Sequence, residues 1–459
     1  MELHDAGADR PPAAPIVEEW SYRGKLLLAP MVRVNSLAFR QVCSEHGADM
    51  VYSEELIDRS LLACPRTENA ELGTVDYRAP DGRIVFRTWA GRKERVVLQL
   101  GTACAADALR AAEHVGPDVR AIDINMGCPV KFSLQGGMGS ALLTQPEKVR
   151  DILSTLRRNL PASLPVTCKI RLLEEPHQTL QLAKIIESCG VAALAVHARR
   201  KQDRPRFWAQ WDMFRLLRDD LPRSLPLVLN GDVFGPEDIP RAYEITGADS
   251  LMLARGAMWN PSVFECGRGG ATVPQAQPVA RYIDLAIQTG LPVGSTKHVA
   301  MLMLEGAGKT EPFSLFQRAK TADDLRAAAA ALEGHPHFAV GPGRVPPVLE
   351  PAPDLPLAPQ LPANAWRTVP HHWKPRAAPP TQQSRPPRPP QRPQQAKAEG
   401  KGQQAQPAHQ AQQTQQTQQP TAKRKLEETS AATPCASEGE RSRPPHGPPA
   451  PASEADWAG

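Results

Sequence analysis

The chain has 459 residues and a formal net charge of +5, from 54 Lys and Arg against 49 Asp and Glu. Residues 346–459 hold 24 of the 48 prolines and carry 13 basic against 9 acidic groups, so the preceding 345 residues are almost neutral. This balance excludes a uniformly basic nucleic-acid-binding surface and leaves room only for a local basic patch. No run approaches the roughly 18 apolar residues of a membrane span, so no membrane association is expected.

The two ends of the chain differ in composition from its middle. Residues 1–20 are polar and proline-rich, lack the apolar segment of a secretion signal, and are expected to be flexible. Residues 346–459, rich in Pro, Gln, Ala and Ser, cannot bury enough apolar area to offset their backbone entropy, which predicts a disordered tail. The basic triplet at 423–425 is a thin nuclear-import pattern or simply solvated charge, so we expect a cytoplasmic protein, with the nucleus as the alternative.

Between residues 25 and 257 a short apolar run, a turn and an amphipathic stretch alternate. Apolar runs rich in Val, Ile and Leu are typical of parallel strands buried on both faces. There are eight: 25–32, 50–56, 96–101, 121–126, 166–172, 193–198, 225–230 and 250–254. The pattern predicts an α/β protein with a (β/α)8 TIM barrel at 21–270, and a doubly wound open sheet is the alternative. Helical periodicity within 275–345 predicts a small helical domain after it.

Chemistry in a TIM barrel takes place at the C-terminal ends of the strands. Polar and cationic residues fall at those ends, where chance would scatter them along the strands. In chain order the ends are Pro30-Met31-Val32, Glu54-Glu55, Gln99, Asn125 to Cys128, Lys169 with Arg171, His197, Asn230-Gly231-Asp232 and Ala254-Arg255-Gly256. The sequence therefore predicts an active site at this mouth of the barrel.

Lys169 and Arg171 are two residues apart on one predicted strand, so both side chains point to the same side. Two buried cations need anionic or acceptor partners. A flavin pyrimidine ring, electron-rich at N1 and O2, would be such a partner and would be stabilised in its reduced form. The alternative is a structural ion pair with a carboxylate such as Glu54.

Two glycine-containing turns follow the seventh and eighth predicted strands. Backbone N–H groups in the turn of Asn230, Gly231 and Asp232, together with Arg255 after Ala254, could hold a phosphate. The glycines could equally mark ordinary turns. Combined with the cations of the fifth strand, the turns favour a mononucleotide cofactor across the barrel mouth.

Cys128 follows Asn125 at the tip of the fourth strand and precedes Lys131 and a glycine-rich segment at 136–139. A cysteine on such a loop beside a positive site can be exposed and reactive, whereas most cysteines are inert packing groups. The eight cysteines include no Cys-x-x-Cys pair, which argues against a zinc site or a disulfide scaffold, and no metal is expected.

His197 ends the sixth strand and is either a satisfied structural group or a hydrogen-bond donor to a cofactor or substrate. The stretch after it contains five cations and two aromatic residues: Arg199, Arg200, Lys201, Arg204, Arg206, Phe207 and Trp208. That composition suits phosphate contacts with base stacking, and a solvated loop is the alternative.

Several motifs of the chain resemble those of the FMN-dependent tRNA-dihydrouridine synthases, in the order found in that family. They are Leu-Ala-Pro-Met-Val (28–32), Val-Val-Leu-Gln-Leu-Gly (96–101), Ile-Asp-Ile-Asn-Met-Gly-Cys-Pro (122–129), Gly-Gly-Met-Gly-Ser-Ala-Leu-Leu (136–143), Cys-Lys-Ile-Arg (168–171), Val-His-Ala-Arg (196–199) and Asn-Gly-Asp (230–232). Glu-Glu-Leu-Ile-Asp (54–58) further resembles the eukaryotic branch that modifies uridine 20 of the D-loop.

The resemblance implies roles for matching residues. Cys128 would be the general acid. The FMN contacts would be Pro30, Met31, Val32, Gln99, Lys169, His197, Asn230, Gly231, Asp232, Ala254 and Arg255. Asn125, Lys131, Arg171, Arg199 and Arg200 would contact the substrate. Where the branch often has Asn-Gly-Gly, this chain has Asp232, whose carboxylate would repel a phosphate unless it turns away.

The reaction that the resemblance implies is reduction of a D-loop uridine, at position 20, to 5,6-dihydrouridine. NADPH would reduce FMN, hydride would pass to uracil C6, and Cys128 would protonate C5. The partners would be tRNA, contacted in part by the helical domain, and NADPH, and the protein is expected to be a monomer. Two alternatives are an FMN barrel acting on a small molecule such as a free pyrimidine, and a non-catalytic RNA-binding factor.

Overall fold

The computed structural model describes residues 20–92, 94–339 and 349–350. Their strands, in chain order, are β1 (Leu26–Leu28), β2 (Met50–Ile57), β3 (Arg66–Asn69), β4 (Thr74–Arg78), β5 (Ile84–Trp89), β6 (Val96–Gly101), β7 (Ala121–Met126), β8 (Val166–Leu172), β9 (Ala193–Arg200), β10 (Leu227–Asn230) and β11 (Ser250–Leu253). Three of the predicted runs, those of β6, β7 and β8, match the observed strands residue for residue.

Eight of these strands close into a parallel barrel in the order β1, β11, β10, β9, β8, β7, β6 and β2. Closure is direct, because β1 pairs with β2 on one side, through Leu28 and Val51, and with β11 on the other, through Leu28 and Leu253. The predicted TIM barrel is therefore confirmed, and the open-sheet alternative is wrong. A barrel without edges leaves its C-terminal mouth as the natural place for a site.

Helices surround the barrel and follow it. They are α1 (Leu37–Glu45), α2 (Asp58–Leu62), α3 (Ala105–Val115), α4 (Lys131–Gln135), α5 (Pro146–Asn159), α6 (Pro176–Ser188), α7 (Trp211–Asp220), α8 (Asp238–Thr246), α9 (Arg255–Trp259), α10 (Ala276–Gln288), α11 (Val293–Met303), α12 (Glu311–Arg318), α13 (Ala322–Glu333) and α14 (Pro336–Ala339). Their apolar faces and the outward side chains of the strands form the main core. A smaller cluster, including Tyr22, Tyr52 and Met252, fills the barrel interior.

One element was not predicted from the sequence. Strands β3, β4 and β5 form a separate antiparallel sheet between α2 and β6. Its many charged residues hid the strand pattern in the sequence. In the structure these charges are paired: Arg87 with Asp76 inside the sheet, and Arg66 with Asp118 just after α3, where its Nε donates at 2.7 Å. Tyr77 Oη also donates to Asp118, at 2.6 Å.

Five helices, α10 to α14, occupy the region where a small helical domain was predicted. Helix α10 packs on the barrel helix α1, where the rings of Phe39 and Tyr282 meet edge to face with centroids 6.2 Å apart. Arg281 Nε also donates to Glu45 at 2.8 Å. The helical domain is thus fixed to the outside of the barrel.

The predicted flexible N-terminus and disordered tail lie outside the described residues, apart from Trp20 and Leu349–Glu350. Glu350 is paired in β-bridge fashion with Phe207: its N–H donates to Arg206 and its carbonyl accepts from Trp208, both at 2.9 Å. Within the described ranges, the helices are too short or too polar to cross a membrane. The same residues contain no cluster of three His, Cys, Asp or Glu that could hold a metal.

Candidate active site

A cleft opens at the C-terminal mouth of the barrel, with a volume of about 590 Å³ counted to its open edge. Eight of the predicted site residues line it together: Pro30, Met31, Val32, Gln99, Asn125, Cys128, Lys169 and Arg171. Glu55, Gly127, Pro129 and Val130 complete the wall. The structure thus brings residues of β2, β6, β7 and β8 to one cleft at the barrel mouth.

Several hydrogen bonds fix the loop that carries Cys128. Asn125 Oδ1 accepts from the backbone N–H of Gly127 at 2.9 Å and from that of Cys128 at 3.1 Å. Arg171 Nε donates to the Gly127 carbonyl at 2.8 Å, and Ser133 Oγ donates to the Cys128 sulfur at 3.5 Å. The sulfur is therefore fixed at the wall of the cleft.

The thiol of Cys128 keeps its proton at neutral pH. Burial raises its pKa above the ordinary value, and the nearby Glu55 carboxylate raises it further, while hydrogen bonding by Ser133 acts in the opposite direction. A protonated thiol is an acid and a weak nucleophile, because nucleophilic attack by cysteine needs the thiolate. The raised pKa is compatible with a proton donor and argues against a thiolate nucleophile.

Lys169 is buried, yet no hydrogen bond or ion pair joins its side-chain amine to any other described residue. Burial lowers its pKa to about 7, repulsion by Arg171 adds to this, and attraction by Asp123 and Cys128 opposes it. The predicted alternative, an ion pair with Glu54, is not formed, because that carboxylate accepts the Arg33 backbone N–H at 2.6 Å. Lys169 therefore offers an unpaired donor to whatever occupies the cleft.

Beneath the cleft lies Asp123, a buried carboxylate that was not predicted as part of the site. It accepts from Gln99 Nε2 at 2.8 Å and from Thr167 Oγ1 at 2.7 Å. Burial raises the pKa of Asp123 to about 6. Since the amide nitrogen of Gln99 is directed to Asp123, its amide oxygen is left as an acceptor for a ligand.

A second group of predicted residues lies at the ends of β9, β10 and β11. His197 is buried and its pKa is well below the ordinary value, first because of burial and then because of Arg171, Lys169 and Arg199. It is therefore neutral, and its Nε2 lies 3.4 Å from Arg199 Nη1. Its Nδ1 is buried without a hydrogen-bond partner among the described residues.

Asp232 joins two arginines at this end of the site. Its Oδ1 accepts from Arg199 Nη2 at 2.5 Å and from Arg255 Nη2 at 2.9 Å, and its Oδ2 accepts from the Ala209 N–H at 2.6 Å. Asp232 adopts a left-handed φ of +58°, a conformation that aspartate tolerates better than most residues. The carboxylate foreseen as a source of repulsion is thus neutralised by two cations.

The rest of this turn has little freedom. Gly231 has φ +124°, and an added Cβ would stand 2.8 Å from the Cβ of Ala209, so only glycine fits. Asn230 Nδ2 donates to the Met252 carbonyl at 2.9 Å, which ties β10 to β11. Ala254, partly exposed, directly precedes α9. These residues form a rigid backbone turn beside the Asp232–Arg255 pair.

The residues predicted to contact substrate have different surroundings. Lys131 is exposed on α4 at the rim of the cleft. Arg199 donates to the Phe207 carbonyl through Nε at 2.9 Å, and Arg200 pairs with Asp203 at 2.9 Å and with Glu174 at 3.3 Å. Both arginines are buried by protein acceptors and are not among the residues that line the cleft, although the Arg200 carbonyl accepts from Arg171 Nη1 at 3.3 Å. Phe207 is buried as well, so it cannot stack on a base as the composition of the loop suggested.

Donors and acceptors of the site fit a flavin mononucleotide. A flavin ring presents carbonyl oxygens and ring nitrogens, which match the unpaired Lys169 ammonium, the free amide oxygen of Gln99 and the orphaned Nδ1 of His197. A phosphate matches Arg255 and the glycine turn at Gly231. The orphaned Nδ1 of His197 is the part of this match that has no hydrogen-bond partner among the described residues.

Comparison with known proteins identifies the family of the chain. The dihydrouridine synthase family model matches residues 27–289. The tRNA-dihydrouridine(20) synthase [NAD(P)+] of Saccharomyces cerevisiae is 35% identical over 320 residues, which cover 66% of this chain and 83% of that protein. Its counterpart in Schizosaccharomyces pombe is 31% identical over 315 residues, covering 67% and 65%. The tRNA-dihydrouridine synthase B of Shewanella oneidensis is 34% identical over 248 residues, covering 53% and 71%.

The matched region begins at β1, runs through every strand of the barrel and ends just after α10, so it contains the cleft, Cys128 and the Asp232 turn. The similarity is therefore spread over the whole catalytic fold rather than confined to a short motif. By its barrel, its site and this match, the chain belongs to the dihydrouridine synthase family and is an oxidoreductase.

Proposed function

We propose that this protein reduces uridine 20 in the D-loop of tRNA to 5,6-dihydrouridine, with FMN as cofactor and NADPH as reductant. The two yeast relatives named as tRNA-dihydrouridine(20) synthases support the substrate and the position. The observation that carries the proposal is a protonated Cys128 sharing one cleft with an unpaired Lys169. A proton donor and a cationic donor together are what reduction of a carbonyl-conjugated double bond requires.

FMN would be held by residues from both groups. Lys169, Gln99 and His197 would bond its ring and side chain, Pro30, Met31 and Val32 would line the ring, and Asn230, Gly231, Ala254 and Arg255 would hold its phosphate. Asp232 would act by orienting Arg255. When bound, FMN takes a hydride from NADPH and supplies it to the C5–C6 double bond of uracil.

The protein supplies the proton and the charge stabilisation. As C6 gains hydride, negative charge develops on the uracil carbonyl, and Lys169 or Arg171 stabilises it. The Cys128 S–H bond breaks as the C5–H bond forms, and the thiolate recovers a proton from solvent. Asn125 and Arg171 hold the loop so that the sulfur remains at the wall of the cleft.

The rim of the cleft carries features suited to RNA. Large exposed hydrophobic side chains among the described residues are Phe132, Leu134 and Leu216, and two of these three lie on α4 beside Lys131. Phe132, 64% exposed, would stack on a base next to the target uridine while Lys131 meets a phosphate. The helical domain would supply further tRNA contacts, and we expect a cytoplasmic monomer.

Absorbance of the purified full-length protein tests cofactor and substrate together. Oxidised-flavin bands should bleach with NADPH under anaerobic conditions and return when unmodified tRNA is added. A tRNA with cytidine at position 20 is the matched control and should leave the flavin reduced. Equal reoxidation by free uridine, or by the control tRNA, would contradict the proposed substrate.

Substitution of Cys128 tests the proton donor. Cys128→Ala should keep its flavin and its reduction by NADPH, yet lose at least about 100-fold in the rate of flavin reoxidation by tRNA, because general acid catalysis contributes roughly that much. Cys104→Ala is the control, since Cys104 lies outside the cleft. Unimpaired turnover of Cys128→Ala would remove the assignment.

A further inference from the structure

Glu55 is a carboxylate in the wall of the cleft that the proposed reaction does not use. Its Oε1 is buried and has no hydrogen-bond partner among the described residues. Burial raises the pKa of Glu55, and interactions with Cys128, Asn125 and Ser133 lower it, so no cation contributes. A buried carboxylate oxygen without a hydrogen-bond partner or a cation beside it is costly, which calls for a functional reason.

The backbone of β2 is distorted in a way that aims Glu55 into the cleft. Tyr52 pairs with Val97 and Glu55 pairs with Gln99, so two residues of β2 stand opposite one residue of β6. Such a bulge reverses the side-chain alternation of a strand and commonly re-aims a residue beside an active site. Glu55 consequently stands level with Gln99 at the barrel mouth.

Gly101 on the neighbouring strand β6 leaves space for the Glu55 carboxylate. A Cβ added to Gly101 would lie 2.6 Å from Glu55 Oε1 and 2.8 Å from Ile57 Cδ1. Gly101 does not have a positive φ, so its backbone does not demand glycine. A glycine at position 101 is explained by the space that it leaves for the Glu55 carboxylate.

The charged groups around Cys128 have opposite effects on the pKa of its thiol. Lys169 and Arg171 on β8 line the same cleft as Cys128, and positive charge there would favour a thiolate, while Ser133 on α4 donates to the sulfur and Lys131 is exposed to solvent. Glu55 on β2 is an acidic group with the opposite effect, because it raises the pKa of Cys128. Without a negative neighbour, a cysteine beside two cations loses its proton readily.

Resting on the proposed function, in which Cys128 donates a proton, we propose that Glu55 is the positioning residue of that donor. The β2 bulge and Gly101 position its carboxylate. The negative charge of this carboxylate offsets the positive charges of Lys169 and Arg171 and keeps the proton on the Cys128 sulfur until uracil enters. Glu55 touches neither hydride nor uracil in this role and acts through the thiol.

The test is the pH dependence of Cys128 alkylation in the full-length flavoprotein without tRNA. Iodoacetamide labelling of the Cys128 peptide is followed by mass spectrometry. Glu55→Gln should raise the labelling rate at neutral pH roughly tenfold, since removing one adjacent like charge shifts such an equilibrium by about that factor. The alkaline limit of tRNA reduction should move to lower pH in parallel.

Glu54→Gln is the matched control: it makes the same change one residue away, at a carboxylate that bonds the Arg33 backbone instead. It should leave the labelling profile unchanged. Gly101→Ala, which displaces the Glu55 carboxylate without removing it, should shift the profile in the same direction as Glu55→Gln and serves if that variant does not fold.

Unchanged labelling in both Glu55→Gln and Gly101→Ala would overturn the inference, even if turnover falls, because a role in holding uracil or in packing would leave the thiol unaffected. An equal shift in Glu54→Gln would overturn it as well. The labelling is measured without tRNA, so failure to reduce tRNA would count against the proposed function alone.

Discussion

Gln99 Nε2 donates a 2.8 Å hydrogen bond to the Asp123 carboxylate inside the barrel, directly below the cleft. The bond fixes which end of the Gln99 amide faces a ligand. Because Asp123 also accepts from Thr167 Oγ1 at 2.7 Å, both of its oxygens are engaged and the carboxylate cannot rotate. A fully satisfied buried hydrogen-bond network of this kind rigidifies the residues that it joins, including Gln99 in the wall of the cleft.

Asp123 should make stability depend on pH in a direction that is unusual for an aspartate. Its pKa rises from 3.8 to about 6 on folding, so the folded state favours the protonated acid. This stabilisation is complete below the unfolded pKa, near pH 4, and is lost as pH rises through 6. Asp123→Asn avoids the loss, so its free energy of unfolding relative to the parent should increase by up to about 3 kcal/mol between pH 4 and pH 7.5.

Thermal unfolding of the parent and Asp123→Asn across that pH range measures the difference. Asp118→Asn is a suitable comparison, since Asp118 is also buried but bonds Arg66 and Tyr77. A constant difference between the parent and Asp123→Asn at all pH values would show that Asp123 is ionised throughout.

Lys169 should couple flavin binding to pH. Without ligand its pKa is lowered to about 7, mainly by burial, so the amine is largely neutral above that value. A flavin ring that accepts a hydrogen bond from the ammonium favours its charged form, so binding takes up a proton. Affinity of the flavin-free protein for FMN should therefore fall as pH rises from 7 to 9, a range in which the FMN phosphate is already ionised.

Quenching of FMN fluorescence measures this affinity. Lys169→Met should bind FMN more weakly at pH 7 and lose the pH dependence, whereas Lys131→Met, at an exposed lysine on the rim, should keep it. A parent protein with a flat profile between pH 7 and 9 would show that another group pairs with the ring.

The strand ends were predictable from the sequence because parallel strands buried on both faces appear as continuous apolar runs, and eight such runs alternate with helical segments. Lys169 and Cys128 stood out as charged or reactive residues at those ends. Asp123 did not, since it lies in the middle of an apolar run and its partners, Gln99 and Thr167, come from neighbouring strands 24 and 44 residues away. Glu55 was visible as a residue of a strand end, yet its orientation depends on a bulge that no local pattern shows.

The basic stretch after β9 is only partly a surface feature, because Lys201, Arg204 and Arg206 are exposed whereas Arg199 and Arg200 are buried. Composition indicated a surface for RNA, and for Arg199 and Arg200 this does not hold, because they pair with Asp232, with Asp203 and with a backbone carbonyl. Counting cations along the chain does not reveal the carboxylates that fold against them. Phe132, a lone aromatic on a short helix, carried no periodic signal although it is the more exposed side chain.

Asp232 should be a strong contributor to stability for the same reason. Asp232→Asn leaves the buried Arg199 with a neutral partner and weakens its bond to Arg255, and disruption of a buried ion pair costs about 3–5 kcal/mol. Asparagine tolerates the left-handed backbone, so strain does not contribute to the loss. Urea unfolding measures the change, and Asp219→Asn, which breaks only the exposed pair with Arg215, should cost less than about 1 kcal/mol. Equal effects of the two variants would mean that the arginines find other acceptors.

Phe132 should govern the binding of tRNA but not the chemistry. If its exposed ring stacks on a base beside the target uridine, Phe132→Ala should raise the KM for tRNA about tenfold, since one stacking contact contributes roughly 1–3 kcal/mol. The kcat, the flavin content and the rate of reduction by NADPH should not change, because Phe132 is not among the residues that line the cleft. Leu216→Ala, at an exposed apolar residue on α7, is the control and should leave KM unaltered. A fall in kcat at constant KM would instead assign Phe132 to the placement of the Cys128 loop, since both lie on the segment that follows β7.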